Sequence, residues 1–333
     1  MSGSSIPLSL IVPVHADAPM FARCLAAIGR TSPAPAEVLV VCDGEAPEAA
    51  RLARAQGCRL IEVSGGPLGP ARARNDGAWA AQQPLLFFVD SDVELSSTAI
   101  AQVWEHFERD PSPTAVFGSY DAEPSESSFL SQYRNLLHHF VHQTSSARAS
   151  TFWSGCGAIR REAFLAASGF DETYLEPSIE DIELGYRLAR GGHTILLDKT
   201  LQVKHLKHWR LWPMLRTDVL LRALPWATLV LEKRGGAPDL NLQASSQWSV
   251  IAVFAMLAGL LGAVCYRALL WPCLALSITL ILLNRRFYGF LAQKRGAVFA
   301  MRAIPCHWLF FACGGFGFGL ALLRHLATSA GKR

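Results

Sequence analysis

The sequence predicts an α/β domain with a mainly parallel sheet, followed by a membrane-embedded C-terminal part. Up to about Leu240, short apolar runs alternate with helix-period segments at the spacing of βαβ units. One run, Leu85-Leu-Phe-Phe-Val89, has no polar alternation and reads as a strand buried on both faces. Polarity is also uneven. The 333 residues are 51% hydrophobic and 17% charged, and from Trp248 onward long stretches are nearly uncharged.

Residues 8–14 give the first strand, and a helix over 19–29 precedes a Pro-rich loop. Residues 37–43 give the second strand, and the Ala/Arg-rich helix over 46–56 is stopped by Gly57. The third strand, 59–63, runs into the glycine-rich Ser64-Gly-Gly-Pro-Leu-Gly69. A helix over 71–81 leads to the fourth strand, 85–89. Beyond Asp92 the pattern predicts a helix over 99–109, a strand over 115–119 and a helix over 129–142. A strand over 152–160 follows, then a helix over 182–190 closed by Gly191-Gly192, then short strands over 194–197 and 201–204. These elements define a domain over residues 1–208.

Residues 209–231 mix Trp, Leu and Arg with Pro213 and Pro225. That composition fits helices lying in a membrane interface, assigned to 209–240, with ordinary core helices as the competing reading. A transmembrane domain over 241–333 holds three segments. Residues 248–266 match a bilayer core, 268–283 are somewhat short and pair with them as a tight hairpin, and 304–323 are long enough to span. Arg285, Arg286, Lys294, Arg295 and Arg302 lie between the last two, so that connection is cytoplasmic by the positive-inside rule. A hairpin before it puts the N-terminal domain on the same side, facing the cytosol from a plasma (inner) membrane. A three-span count leaves Arg324, Lys332 and Arg333 outside, whereas Gly314-Gly315, Gly317 and Gly319 allow close packing or a re-entrant last segment.

The net charge of +4, without basic residues interleaved with aromatics, argues against a nucleic-acid partner. The eight cysteines show no CxxC pair and read as reduced and structural, in keeping with a cytosol-facing domain. Residues 1–7 carry no basic region, and 8–14 are too short for a signal-peptide core.

Asp90-Ser-Asp92 closes the buried strand, so two carboxylates sit at the carboxyl end of a sheet strand, where open α/β folds bind ligands. Such a pair suits a divalent cation bridging the phosphates of a nucleotide. About ninety residues later, Ser178-Ile-Glu180-Asp181 fits the capping pattern at a helix start. A helix N-terminus favours negative charge, so Asp181 is expected to be ionised at neutral pH and able to act as a base. The competing reading is a pure helix cap. His138, His139 and His142 read as a polar helix face rather than a metal site.

Several short motifs occur in order: Ile11-Val-Pro-Val14, Val41-Cys-Asp-Gly44, Ala73-Arg-Asn-Asp-Gly77 and Phe88-Val-Asp-Ser-Asp92. Ser154-Gly-Cys-Gly-Ala-Ile-Arg-Arg161, Gly169-Phe-Asp-Glu172 and Glu180-Asp-Ile-Glu-Leu-Gly-Tyr-Arg-Leu188 follow. Over residues 8–208 the set resembles the inverting family 2 glycosyltransferases of the GT-A fold, a Rossmann-like nucleotide-diphospho-sugar transferase domain. The resemblance implies a metal-dependent hexosyltransferase with a nucleoside-diphosphate sugar as donor. On that likeness Pro13 exposes its backbone to the nucleotide base, His15 lies on the same side, and Asp43 accepts hydrogen bonds from the base. Arg74 reaches the base or the diphosphate with its planar donor fork. Asp90 sits near the ribose or on the metal through water, and Asp92 ligates the metal directly. The metal, Mg²⁺ or Mn²⁺, neutralises the leaving diphosphate. Glu180 and Asp181 form the catalytic pair, with Asp181 as the base.

His205 completes the metal site in this comparison, against the reading of a histidine at a membrane-proximal turn. Trp153 and Gly155 line the acceptor site, with Trp153 as a core residue the alternative. His15-Ala16 and Cys42 depart from the family's Tyr-Asn and Asp, and the Gln-x-x-Arg-Trp motif of processive members is missing. The apolar C-terminal part points to a membrane lipid acceptor, such as a polyprenyl phosphate. The alternatives are a soluble or saccharide acceptor, a non-catalytic nucleotide-sugar-binding membrane scaffold, and a nucleotidyltransferase.

Overall fold

The computed structural model describes residues 5–17, 19–63, 65–232 and 244–330. Its contacts divide the chain into two compact units, Met1–His208 and Trp209–Arg333.

The first unit begins with four parallel strands: β1 (Ile6–Val14), β2 (Pro35–Cys42), β3 (Arg59–Glu62) and β4 (Leu85–Val89). They lie side by side in the order β3-β2-β1-β4. Three helices connect them: α1 (Pro19–Ile28), α2 (Pro47–Ala55) and α3 (Pro70–Ala80). Each starts on a proline, whose missing N–H is no loss in a first helical turn. All five residues of β4 are buried, as the unbroken apolar run requires. Leu85, Phe87 and Val89 pack with Leu10 and Val12 against α1 on one face. Leu86 and Phe88 pack with Ile11 on the other. The period-two pattern therefore builds two hydrophobic cores from one sheet.

The second half contains β5 (Val93–Glu94), α4 (Ala99–Arg109), β6 (Pro113–Tyr120), α5 (Phe129–Thr144), β7 (Arg148–Ala149) and β8 (Cys156–Arg160). It ends with α6 (Arg161–Ala166), α7 (Glu180–Arg190) and β9 (Thr194–His205). Here the sheet departs from the mainly parallel expectation. β8 runs antiparallel between β4 and β6, while β6 and β9 are parallel and β5 and β7 pair antiparallel with β9. A buried strand is apolar in either direction, so the run at β8 carries no signal of its orientation.

Two further expectations are corrected. The strand expected over 152–160 is confined to Cys156–Arg160, because Trp153 folds back over Gly155, where a Cβ would lie 2.6 Å from the indole. The two short strands expected over 194–197 and 201–204 are one strand, β9. Its register against β6 jumps from Phe117↔Leu197 to Ser119↔Gln202. The Asp198 carboxylate accepts from the Thr200 backbone N–H (2.8 Å) and hydroxyl (2.7 Å), closing the bulge. The polar Asp198-Lys-Thr200 reads as a break in sequence but is a bulge in structure.

The second unit begins with a continuous helical stretch: α8 (Leu211–Arg216), a π-helical turn (Thr217–Ala223) and α9 (Leu224–Leu231). Pro225 lacks the N–H that an α-turn needs, and the helix widens just before it. Residues 233–243, which include the end of the expected interfacial segment, lie outside the described residues, as do Lys332 and Arg333. α10 (Ala244–Gly262), α11 (Leu270–Leu283), α12 (Arg285–Arg295) and α13 (Ala297–Ala330) follow. Among the described residues two helices are long and apolar enough to cross a membrane, Ala244–Gly262 and Ala297–Ser329. The expected middle segment, 268–283, lies in the helical stretch Arg267–Leu283, which counts as a third candidate span only together with α12, from which it is bent by 67°. At 14 residues, α11 reaches only about 21 Å against a core of about 30 Å. The basic connection expected after it is helix α12 together with the start of α13.

Candidate active site

The strand ends gather the acidic residues. Past β4 the Asp90 N–H donates to the Gly155 carbonyl (3.2 Å) and the Val93 N–H donates to the Asp90 carbonyl (3.0 Å). This tight turn sets both carboxylates at the edge of the sheet. Pairing of Val93 with His205 then draws the end of β9 alongside, and the Leu206 N–H donates to the Asp92 carbonyl (2.9 Å). As a result His205 Nε2 lies 3.7 Å from Asp92 Oδ2, and the buried His205 ring stacks on Tyr120 at 4.0 Å between centroids. Burial alone pushes the Asp92 carboxyl up. The neighbouring His205 imidazole and Lys207 ammonium outweigh it and hold the group below its ordinary range.

Arg74, on α3, joins this edge to α7. One terminal nitrogen donates to Asp90 Oδ1 (2.6 Å) and the other to Glu180 Oε1 (2.8 Å). Arg74 is 5% exposed and Glu180 3%, so that pair is buried, while the Asp90 side chain is partly exposed. Burial disfavours the guanidinium charge, but the two carboxylates more than restore it. Arg74, expected at the base or the diphosphate, has one donor from each terminal nitrogen on an acid.

At the start of α7 the Ser178 N–H donates to Glu180 Oε2 (2.9 Å). Asp181 Oδ1 accepts from the Ile182 N–H (2.8 Å), and Oδ2 accepts from the Ser154 N–H (3.1 Å) and hydroxyl (3.4 Å). Gly185 allows this. Its Cα packs directly on the Thr151–Phe152 backbone, where a Cβ has no room, and the loop carrying Ser154 reaches the first turn of α7. The expectation of a fully ionised Asp181 is also corrected. Burial, then the Glu180 charge, raises its carboxyl to about 7, despite Arg74 and the Ser154 and Ile182 amides. Desolvation and a like charge outweigh the helix end.

Asp43 is buried at the end of β2, and its carboxylate holds the glycine-rich loop. Oδ1 accepts from the Leu68 N–H and Oδ2 from the Gly69 N–H, both at 2.7 Å. Two of its roughly four acceptor sites are thus taken by backbone rather than left for a base. Gly69, at φ 99°, passes under the Leu175 carbonyl, so the loop after α6 crosses this segment. His15 Nδ1 lies 2.9 Å from the Asp43 carbonyl. Pro13 pairs with Val41, one residue before the end of β1. A cleft of about 390 Å³ opens beyond β2 and β3, lined by Gly44, Glu45, Pro47 and Glu62 among others. Its two glutamates would repel a diphosphate.

Trp153 is half-buried and touches both cores, with Tyr120 and His138 rings 4.8 and 4.9 Å away. The polar-face reading of the three histidines is corrected, because His139 and His142 are buried. Their Nδ1 atoms lie 2.7 Å from the Tyr120 carbonyl and 3.1 Å from the Gly118 carbonyl. Tyr120 and Ser154 were not singled out in the sequence. Ser154 lies inside a recognisable motif, whereas Tyr120 is simply the last residue of an apolar strand.

Among the described residues no three His, Cys, Asp or Glu side chains cluster as a metal cage. Asp92 and His205 nevertheless offer one carboxylate oxygen and one imidazole nitrogen side by side, and Asp90 keeps one oxygen that Arg74 does not occupy. That donor set fits a cation held by few protein ligands with the rest from phosphate and water.

Residues 9–166 match the profile of the family described as Glycosyl transferase family 2; Glu180, Asp181 and His205 lie beyond that stretch. No curated protein matches the chain. Among solved structures, the mannosyltransferase PcManGT from Pyrobaculum calidifontis, in complex with GDP-Man and Mn²⁺, is 18% identical with a TM-score of 0.60. That similarity covers 91% of this chain and 88% of that one. TarS 1–349 from S. aureus is 14% identical with a TM-score of 0.47, and the alignment covers 59% of each chain. GalNAc-T7, with UDP, GalNAc and Mn²⁺, is 15% identical with a TM-score of 0.49, covering 61% of this chain and 44% of that one.

Proposed function

We propose, from the premise that residues 9–166 form a family 2 glycosyl transferase domain of GT-A-like fold, that the protein moves a sugar from a nucleoside diphosphate to a membrane lipid. The observation that carries this reading is the Asp90–Arg74–Glu180 bridge. It keeps the acidic strand end and the start of the Asp181 helix within the reach of one side chain. A donor diphosphate and an attacking acceptor need that adjacency.

In this reading Asp92 and His205 would hold a divalent cation, with the spare oxygen of Asp90 available to it. The bound cation would offset the negative charge of the departing diphosphate. Asp181 accepts the proton of the acceptor hydroxyl while that oxygen forms its bond to the anomeric carbon. The bond from that carbon to the diphosphate oxygen breaks in the same displacement, the nucleoside diphosphate leaves with the electron pair, and the configuration inverts. A carboxyl raised to about 7 is well matched to a base working near neutrality. Trp153 and Gly155 border the acceptor side. Asp43 shapes the nucleotide side through the 65–69 loop, next to His15 and Pro13. The two C-terminal helices long and apolar enough to span a bilayer support a lipid acceptor, held at high effective concentration by a shared membrane.

The base assignment predicts the pH profile. Asp181 is the proton acceptor only when ionised, so turnover should rise with pH through about 7 and level off above it. The same group titrates far below this in an unfolded chain. Its raised folded value therefore makes stability decline as pH rises from about 4 to 7. Steady-state rates between pH 5 and 9 check the first point. A flat profile across that range would remove Asp181 as a titrating base.

The reading as a whole is tested with detergent-purified protein, a panel of nucleoside-diphosphate sugars and a membrane lipid extract. One nucleoside diphosphate should be released in a lipid-stimulated, EDTA-sensitive way. Donor binding without lipid-stimulated release would instead favour a soluble acceptor or a binding module.

A further inference from the structure

Helix α12 breaks the apolar character of the second unit. Four of its eleven residues are Arg or Lys and none is acidic, and no Asp or Glu follows Asp239 in the chain. It bends by 67° from α11, which alone is too short to cross a bilayer core. A cationic helix turned so far from an apolar one does not continue it across hydrocarbon, where each charge would cost several kcal/mol.

The two faces of α12 are sorted. Phe287, Tyr288 and Leu291 are buried. The Phe287 ring lies 4.7 Å from the His307 ring of α13, and the Tyr288 hydroxyl is 3.2 Å from His307 Nδ1. This packing fixes the rotation of α12. Arg285, Arg286 and Lys294 are left exposed, and among the described residues none of the three forms an ion pair. Their counter-charge must come from outside this part of the chain.

We propose that α12 lies in the headgroup plane and binds anionic phospholipid through Arg285, Arg286 and Lys294. This rests on the membrane reading of the second unit. The chemistry is charge complementarity at an interface, where each basic residue near an anionic surface adds about fivefold to affinity. Guanidinium groups also bind phosphate in a bidentate way.

The test uses full-length protein in mixed micelles of equimolar phosphatidylglycerol and phosphatidylcholine, with retained lipid counted by native mass spectrometry. The wild type should keep phosphatidylglycerol over phosphatidylcholine by about fivefold or more. The triple variant Arg285→Ala/Arg286→Ala/Lys294→Ala should lose that preference. The charge-keeping Arg285→Lys/Arg286→Lys/Lys294→Arg should retain it, which separates charge from folding. Equal retention of both lipids by the wild type, or an undiminished preference in the alanine variant, would overturn the proposal. A carbonate wash of membranes containing the wild type separates the two readings. Protein that stays in the pellet without lipid preference sinks only the role of α12, whereas protein that washes off sinks the membrane reading with it.

Discussion

Replacing Asp181 with Asn is expected to slow sugar transfer by about 10²- to 10⁴-fold, the usual contribution of a positioned base. The substitution keeps the shape of the side chain but leaves one acceptor oxygen where there were two. One amide oxygen can still accept from the Ser154 or Ile182 N–H, so the loop and the first turn of α7 should keep their places. Removing a buried carboxylate beside Glu180 also relieves a repulsion, so thermal stability at neutral pH should hold or rise. In the proposed reading Asp181 serves the acceptor, so donor affinity should change little. Loss of rate with donor Kd and Tm preserved is therefore the expected pattern. A rate within tenfold of wild type would reduce Asp181 to a positioning group, as would suit an acceptor that is already an ionised phosphate.

Arg74→Met should strongly destabilise the N-terminal unit. It leaves Asp90 and Glu180 near each other without their shared cation, and Glu180 remains buried. Breaking a buried ion pair from one side costs about 3–5 kcal/mol. For a unit of this size that is a fall of roughly 10 °C in Tm. The sign with pH follows from the chemistry. Carboxylates in general carry their charge at neutral pH and lose it in acid, so the loss should be largest at neutral pH and shrink as pH falls below about 5. Calorimetry of wild type and variant at pH 7 and pH 5 checks both parts. Equal losses at the two values would mean that Arg74 acts by packing rather than by charge.

What the sequence disclosed depended on the kind of signal. β4 and α4 are placed at the expected residues because an unbroken apolar run and a strong helical period are local properties. Direction in a sheet is not local. The antiparallel insertion of β8 follows from where residues 161 onward travel, and nothing in Cys156–Arg160 records it. The same division runs through the site. Asp90, Asp92 and Asp181 stood out because carboxylates at strand and helix ends are recognisable in a linear string. That Arg74 spends its donors on Asp90 and Glu180, 16 and 106 residues away, depends on tertiary contact. So does the raised Asp181 carboxyl, where helix-end reasoning predicted an ionised group and desolvation outweighed it. The buried histidines of α5 are a third case. Polar residue type suggested an exposed face, but the carbonyls of Tyr120 and Gly118 satisfy the two rings inside.

Transfer of labelled sugar into organic-extractable lipid tests the central claim most directly. Membranes containing the full chain would be supplied with each nucleoside-diphosphate sugar in turn, beside membranes containing the Asp181→Asn protein. The site as described predicts that one donor labels the lipid fraction in wild-type membranes and that the variant reduces this at least about a hundredfold. Equal labelling by wild type and variant would contradict the assignment of chemistry to this site. Label found only in water-soluble products would contradict the lipid acceptor.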